Sequence, residues 1–295
     1  MSLWVLIKRN FKLFFKDKGM FFTSLITPAI LLVLYVTFLE KVYRDSMIQS
    51  MPQGTEEALV NGIVGGELLS SLLAVCCVTV SFCSNMIMVQ DKTNNSRNDL
   101  TITPVKSSTL ALGYYLSTVF ITFVICLIAT FGGFIYLACT GWYLTFVDVL
   151  LILLDVLLLV LFGTALSSII NFFLSTQGQI SAVGTIVSAG YGFICGAYMP
   201  ISSFNEGLQK VISFLPGTYG TSLVRNHCLD GTFQEMANLS WPSEVIEDIK
   251  DSIDCNLYFF GNKVEVYQLY LIVILTNIAL ISIYILLNMF YKKKR

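Results

Sequence analysis

Six long apolar segments set the pattern of this chain, over residues 20–39, 63–89, 109–140, 143–174, 179–199 and 266–291. Each approaches or exceeds the roughly 20 residues a helix needs to cross a bilayer core. No charge lies between Lys106 and Asp148, and none between Asp155 and Glu206. Neither stretch fits one straight span. The breaks fall at Gly141-Trp142 and in the polar patch 171–179, where turn-forming residues collect. The pattern predicts an all-α membrane protein of six transmembrane helices forming a single domain over residues 1–295.

Three polar or amphipathic pieces interrupt that pattern. In residues 2–18, Trp4, Ile7, Phe11, Phe14 and Phe15 share one helical face, while Lys8, Lys12 and Lys16, with Arg9 beside them, fill the other. This is the signature of an interfacial amphipathic helix. It anchors the chain, and it is also placed to touch a partner at the membrane surface. The run 90–108 is polar between two spans, with Asp91, Lys92, Thr93, Asn94, Asn95, Arg97 and Asp99 in sequence, and it ends in Thr103-Pro104-Val105-Lys106. A well-filled polar loop in an otherwise apolar chain is where a soluble partner could grip. Residues 200–265 are expected to hold short re-entrant helices, broken at Pro216-Gly217, and then an exposed polar insertion from 226 to 262. Irregular backbone at membrane depth is tolerated only when protein covers it.

Charge fixes the expected orientation. Twelve of the 18 Lys and Arg residues are Lys8, Arg9, Lys12, Lys16, Lys18, Lys92, Arg97, Lys106, Lys292, Lys293, Lys294 and Arg295. All fall on one side of a six-span topology, so both termini are predicted to be cytoplasmic. The first span reads as retained rather than as a cleaved signal, because Phe38-Leu39-Glu40-Lys41 offers no small-residue cleavage site. With 55% hydrophobic and 13% charged residues and a mean hydropathy of +0.74, the bilayer is the main solvent. No soluble basic domain exists for nucleic acid.

The candidate chemistry is sparse. No phosphate-cradling Gly-Lys-Ser or Gly-Lys-Thr occurs, and no hydrolase elbow or zinc-protease motif is present. The chain is therefore expected to carry no catalytic residues, cofactor or metal of its own. One His and no Cys-x-x-Cys leave no metal pattern. Six cysteines fall in spans as small hydrophobes; Cys228 and Cys255 fall in the last loop, where a disulfide is possible on an oxidising face. Asp155 lies inside the fourth span, where a charge costs about 2.5–3.5 kcal/mol at mid-bilayer. It reads either as a polar contact between helices or as a site for protons or a cationic substrate. Small residues recur every fourth position at Gly62, Gly66, Ser70 and Ala74, and again at Gly184, Ser188, Gly192 and Gly196. Such stripes serve close helix packing or line a pathway or moving seam.

Taken in order, these features resemble the membrane subunit of a type-2 ATP-binding-cassette exporter. A basic amphipathic helix precedes the first span. The loop after the second span ends in Leu100-Thr101-Ile102-Thr103-Pro104-Val105, followed by Leu112-Gly113. The fifth span leaves through Gly196-x-x-x-Pro200, and Pro216-x-Thr218-Tyr219 and Arg225 follow. The resemblance implies two permease subunits face to face, as a homo- or heterodimer, above two copies of a separate ATPase that binds ATP and Mg. Residues 91–106 would form the coupling loop, with a short helix starting near Asp91. The second and fifth spans would line the path of an exported drug, antimicrobial peptide or lipid-like compound. Two departures stand out: the family's Glu-rich patch is replaced by residues 91–97, and its Leu-Pro after the fifth span by Phe204-Asn205. Competing classes are an intramembrane lipid-modifying enzyme, for which only Asp148, Asp155 and outer-loop acids are available, and a passive channel or assembly factor without an ATPase.

Overall fold

The computed structural model describes residues 2–50, 56–103 and 105–291. Pro104 of the Thr-Pro-Val run and the basic tail 292–295 lie outside the described residues. Five helical stretches are long and apolar enough to cross a membrane: Lys18–Asp45, Glu57–Thr93, Ser107–Thr140, Phe146–Phe173 and Val266–Phe290. The all-α membrane architecture is as the hydropathy pattern predicts. The expected fifth span is a shorter helix that does not join those five. Its Gly, Ser and Gln content keeps it less apolar than the others.

The chain begins with α1 (Leu3–Lys16) and α2 (Lys18–Leu34), which runs through a π-turn at Tyr35–Leu39 into α3 (Glu40–Ser50). α4 (Glu57–Ser84) is the centre of the molecule. It is apolar all round and buried along almost its whole length, packed against α2, α7 (Ser107–Thr140), α8 (Phe146–Phe173) and α11 (Pro216–Asn238). A helix hydrophobic on every face belongs inside a bundle. Between α4 and α7, the chain bends at Asn85 into α5 (Met86–Thr93) and turns again into α6 (Ser96–Ile102).

Caps set the later boundaries. Thr145 and Asp148 form a reciprocal capping box that starts α8, and Thr176 with Gln179 starts α9 (Gln177–Ile194) in the same way. Asn205 caps the short α10 (Glu206–Ile212), and Pro216 opens α11 at a first-turn position where its missing N–H costs nothing. The chain closes with α12 (Ser243–Ser252), a hairpin of β1 (Leu257–Phe259) and β2 (Asn262–Val264), and α13 (Val266–Tyr291).

The segment 200–265 differs from its expected form. The short α10 stands where a short helix is expected before Pro216, but in place of an exposed insertion from 226 the chain continues in α11, a single 23-residue helix packed against α4, α8 and α13. Cys228, Leu229, Phe233 and Met236 lie in the core. The helix looks polar in sequence because Arg225, Asn226 and His227 are on it, but each finds partners far away in the chain.

Candidate functional site

At the end of the bundle that carries α1, three short elements form one unit. α1 buries Leu6, Ile7, Asn10 and Phe14. The buried face is rotated from the expected one: Trp4 is 66% exposed, while Asn10 is inside and donates from Nδ2 to Ser117 Oγ at 3.1 Å. The reason is steric and polar together, since Leu6 lies over Gly113, where a Cβ would meet it at 3.0 Å. Lys8, Lys12 and Lys16 face outward as expected. Arg9 does not; it grips Asp91 with two bonds, Nη1 to Oδ2 at 2.7 Å and Nη2 to Oδ1 at 2.9 Å. The hydrogen bonds it donates to Asp91 hold the Arg9 guanidinium above its ordinary range. Tyr114 adds its hydroxyl to Asp91 Oδ2 at 2.6 Å.

The residues expected to form the partner-facing loop thus divide into two sets. Asp91 is buried and ties α5 to α1 and α7 rather than projecting. Lys92 is also turned in: its ammonium donates to the carbonyls of Asn171, Phe172 and Leu174 at 2.9, 2.7 and 3.1 Å, closing the last turn of α8. Arg97 donates to Asn288 Oδ1 of α13 at 3.2 Å. What remains outward is Thr93, Asn94, Asn95, Asn98, Asp99 and Thr101, with Ile102 84% exposed. The separate short helix starts at Ser96, not near Asp91, because the chain reverses at Asn95, whose φ of +60° is a left-handed turn that Asn tolerates.

The two small-residue stripes serve different ends. On α4, Gly62 lies against the Tyr143 ring, Gly66 against Leu229 and the Cys228 carbonyl, and Ser70 and Ala74 are fully buried. That stripe is packing within the protomer. On α9, Gly184 has open space where a Cβ would be, while Gly192 packs on Tyr198 and Gly196 turns the chain at φ +74°. Gly184 and Ser188 line a cavity of about 830 Å³ between α2, the end of α4 and α9, walled by residues such as Ile30, Leu34, Phe82 and Ile180. Asn171 reaches the same cavity, and its buried amide nitrogen has no hydrogen-bond partner.

At the opposite end, Arg225 is fully buried in α11. It donates to the carbonyls of Ile253 at 2.6 Å and Gly196 at 2.9 Å and to Ser71 Oγ at 3.0 Å. Asp254 lies 3.7 Å from it and accepts from the Ile201 N–H at 2.8 Å. Burial pushes the Asp254 carboxyl up to about 6, against the pull of Arg225. Glu67 of α4 is buried with one carboxylate oxygen unpartnered. It is an intramembrane acid that the sequence reading passed over. Asp155 is fully buried, with His227 Nδ1 at 2.5 Å and the Tyr270 hydroxyl at 3.0 Å, so it joins α8 to α11 and α13. His227 was not singled out in sequence, because nothing local places it against a residue 72 positions earlier. Cys228 and Cys255 are both buried free thiols.

Among the described residues, no group of three His, Cys, Asp or Glu side chains could hold a metal. The geometry offers a structural unit with an exposed polar tip, an apolar cavity, and buried polar ties between helices. A search of curated proteins returned no match. The ABC-2 type transporter family matches residues 1–228, which include the α1–α5–α6 unit, the cavity and most of α11, and the chain belongs to that family as the membrane subunit of an ABC transporter.

Proposed function

We propose that the chain is the permease half of an ATP-driven exporter. Two copies, or this chain and a related one, enclose the path, and two separate ATPase subunits dock on the tip of α5–α6 with α1 beside it. The Lys- and Arg-rich character of this side supports a cytoplasmic tip, and in the same reading α9 completes a sixth crossing that leaves both termini cytoplasmic. Energy enters from the ATPases because the sequence has no phosphate-binding loop. The cargo is hydrophobic or amphipathic: a drug, an antimicrobial peptide or a lipid-like molecule. The apolar walls of the α2–α4–α9 cavity favour that class over a charged polymer.

One observation carries the reading. The α5–α6 tip projects a polar face and an almost fully exposed Ile102, while its base is fastened by Arg9, Asp91, Lys92, Tyr114 and Arg97 to α1, α7, α8 and α13. A ligand shifts a conformational balance only by favouring one state. A partner that grips this tip differently in its nucleotide states would bias all of these helices at once. The test is copurification of the ATPase with the Asp99→Lys, Ile102→Asp double variant, which touches only exposed positions. Loss of the ATPase, with the permease still folded and membrane-inserted, is the expected result. Undiminished binding and transport would overturn the proposal, as would transport by the permease alone.

A further inference from the structure

The hairpin and α13 lie beyond the residues matched to the family, and they carry a feature that transport does not explain. The β1–β2 turn places Phe260 at its tip, at φ +48° and next to Gly261 at φ +85°. Phe259 and Phe260 meet edge to face at 4.8 Å between ring centres, and Phe214, arriving from the end of α10, joins them edge to face at 5.5 and 5.9 Å. Phe214 is 62% and Phe260 66% exposed. A contiguous exposed aromatic patch of this kind marks an interaction surface.

What covers it follows from position. β2 ends at Val264 and the spanning helix α13 starts at Val266. At about 1.5 Å per residue, α13 is roughly 39 Å long, whereas a hydrocarbon core is about 30 Å thick. The surplus of about 9 Å leaves room for the first turns of α13, with the exposed Tyr267 and the half-buried Gln268, at the headgroup level, where aromatic side chains with polar tips collect. The hairpin is held to that level by its one-residue link, Glu265. Between it and α13 lies a cleft of about 510 Å³ whose walls include Phe214, Phe259, Leu271 and Ile272. Leu271 is 55% exposed and belongs to a helix face that is little buried by protein. The cleft is thus continuous with the lipid-facing side of a span. At its rim, Lys263 is already paired with Glu247 at 2.7 Å, so apolar contact, not an anionic headgroup, dominates the recognition.

We propose that this cleft is a lipid site: an acyl chain of a bilayer phospholipid lies against Leu271 and Ile272, and the Phe214–Phe259–Phe260 cluster inserts beside it as an aromatic anchor. The anchor fixes the depth of the hairpin and, through the Lys263–Glu247 pair, of α12. The full chain carrying Phe260→Trp tests this in vesicles of phosphatidylcholine brominated high or low on the acyl chains, with the unsubstituted protein as the baseline for its own tryptophans. The added emission should be blue-shifted and quenched several-fold more by lipid brominated near the headgroup than by lipid brominated near the chain end. Emission at the wavelength of water, quenched by iodide but by neither lipid, would overturn the proposal. Blue-shifted emission that no brominated lipid quenches would overturn it too, since protein would then cover the patch. For the cleft itself, Leu271→Trp should lower the number of phosphatidylcholine molecules retained on purification in detergent. Unchanged retention, with the fold intact by circular dichroism, would remove the acyl-chain site.

Discussion

At the residue scale, the buried polar groups are the points where this membrane protein is most specified. Arg225 is tolerable inside the bundle because it has three acceptors and a carboxylate at 3.7 Å; a buried charge without such partners would be prohibitive. Asp254 shows the balance of terms most clearly, because burial outweighs Arg225 and lifts its carboxyl from an ordinary 3.8 to about 6. The folded state then binds a proton more tightly than the unfolded one. That contribution to stability is fully present below pH 3.8 and is lost as pH rises through about 6, by at most about 3 kcal/mol at 1.36 kcal/mol per unit. Glu247 runs the other way: the bond from Lys263 holds it down to about 2, so its contribution is present above pH 4.5 and lost only in strong acid. Between pH 4 and pH 6.5, the apparent melting midpoint of the wild type in detergent should fall relative to that of Asp254→Asn, which keeps the acceptor for Ile201 N–H but does not titrate. Parallel curves for the two proteins would show that Asp254 does not titrate in this range. None of this was legible in sequence. Asp155 stood out because it is charged within a span, but Asp91, Lys92 and Arg225 take their roles from partners between 23 and 154 positions away, and Glu67 went unremarked within its span.

At the scale of elements, hydropathy was a sound guide to five of the six expected spans because a helix in lipid must satisfy its own backbone and so advertises its length. It was a poor guide to α11, whose polar residues hide a buried helix, and to the difference between the two small-residue stripes. Identical four-residue spacing meets a filled neighbourhood along α4, whereas on α9 Gly192 packs on Tyr198 but Gly184 faces open space. Alanine separates them. At Gly66 a new Cβ would lie 2.9 Å from the Cys228 carbonyl oxygen and 2.5 Å from Leu229, whereas at Gly184 nothing lies within 4 Å. Gly66→Ala should therefore destabilise the bundle by about 1–3 kcal/mol through overpacking. Gly184→Ala should leave the melting midpoint unchanged or slightly higher, as expected of a helical glycine with open space at its Cβ position. Equal effects of the two changes on thermal unfolding would mean that α9 is packed within the protomer as tightly as α4.

The whole molecule leaves two kinds of apolar surface uncovered, and their textures differ. The free face of α13 carries bulky side chains, such as Leu271, Leu275 and Phe290, which suit lipid. The α2–α9 side combines bulky walls with Gly184, Ser181, Ser188 and Ala189 around the large cavity. Small residues let helix backbones approach closely in a membrane, where no hydrophobic drive favours association. The α2–α9 side is therefore the one suited to a second permease subunit, and in such a pair the two cavities would face a shared axis. That arrangement would also make the α5–α6 tips of the two subunits a matched pair of grips for two ATPases. Ile186, 70% exposed on α9, and Leu275, 56% exposed on α13, make a discriminating pair of positions. In a background of Cys83→Ser and Cys139→Ser, Ile186→Cys should give a covalent dimer with a short bifunctional thiol linker in proteoliposomes, and Leu275→Cys should stay monomeric. A dimer through Leu275 alone would place the partner on α13, turn the α2–α9 cavity toward lipid, and require the cargo to enter from the bilayer rather than along a central path.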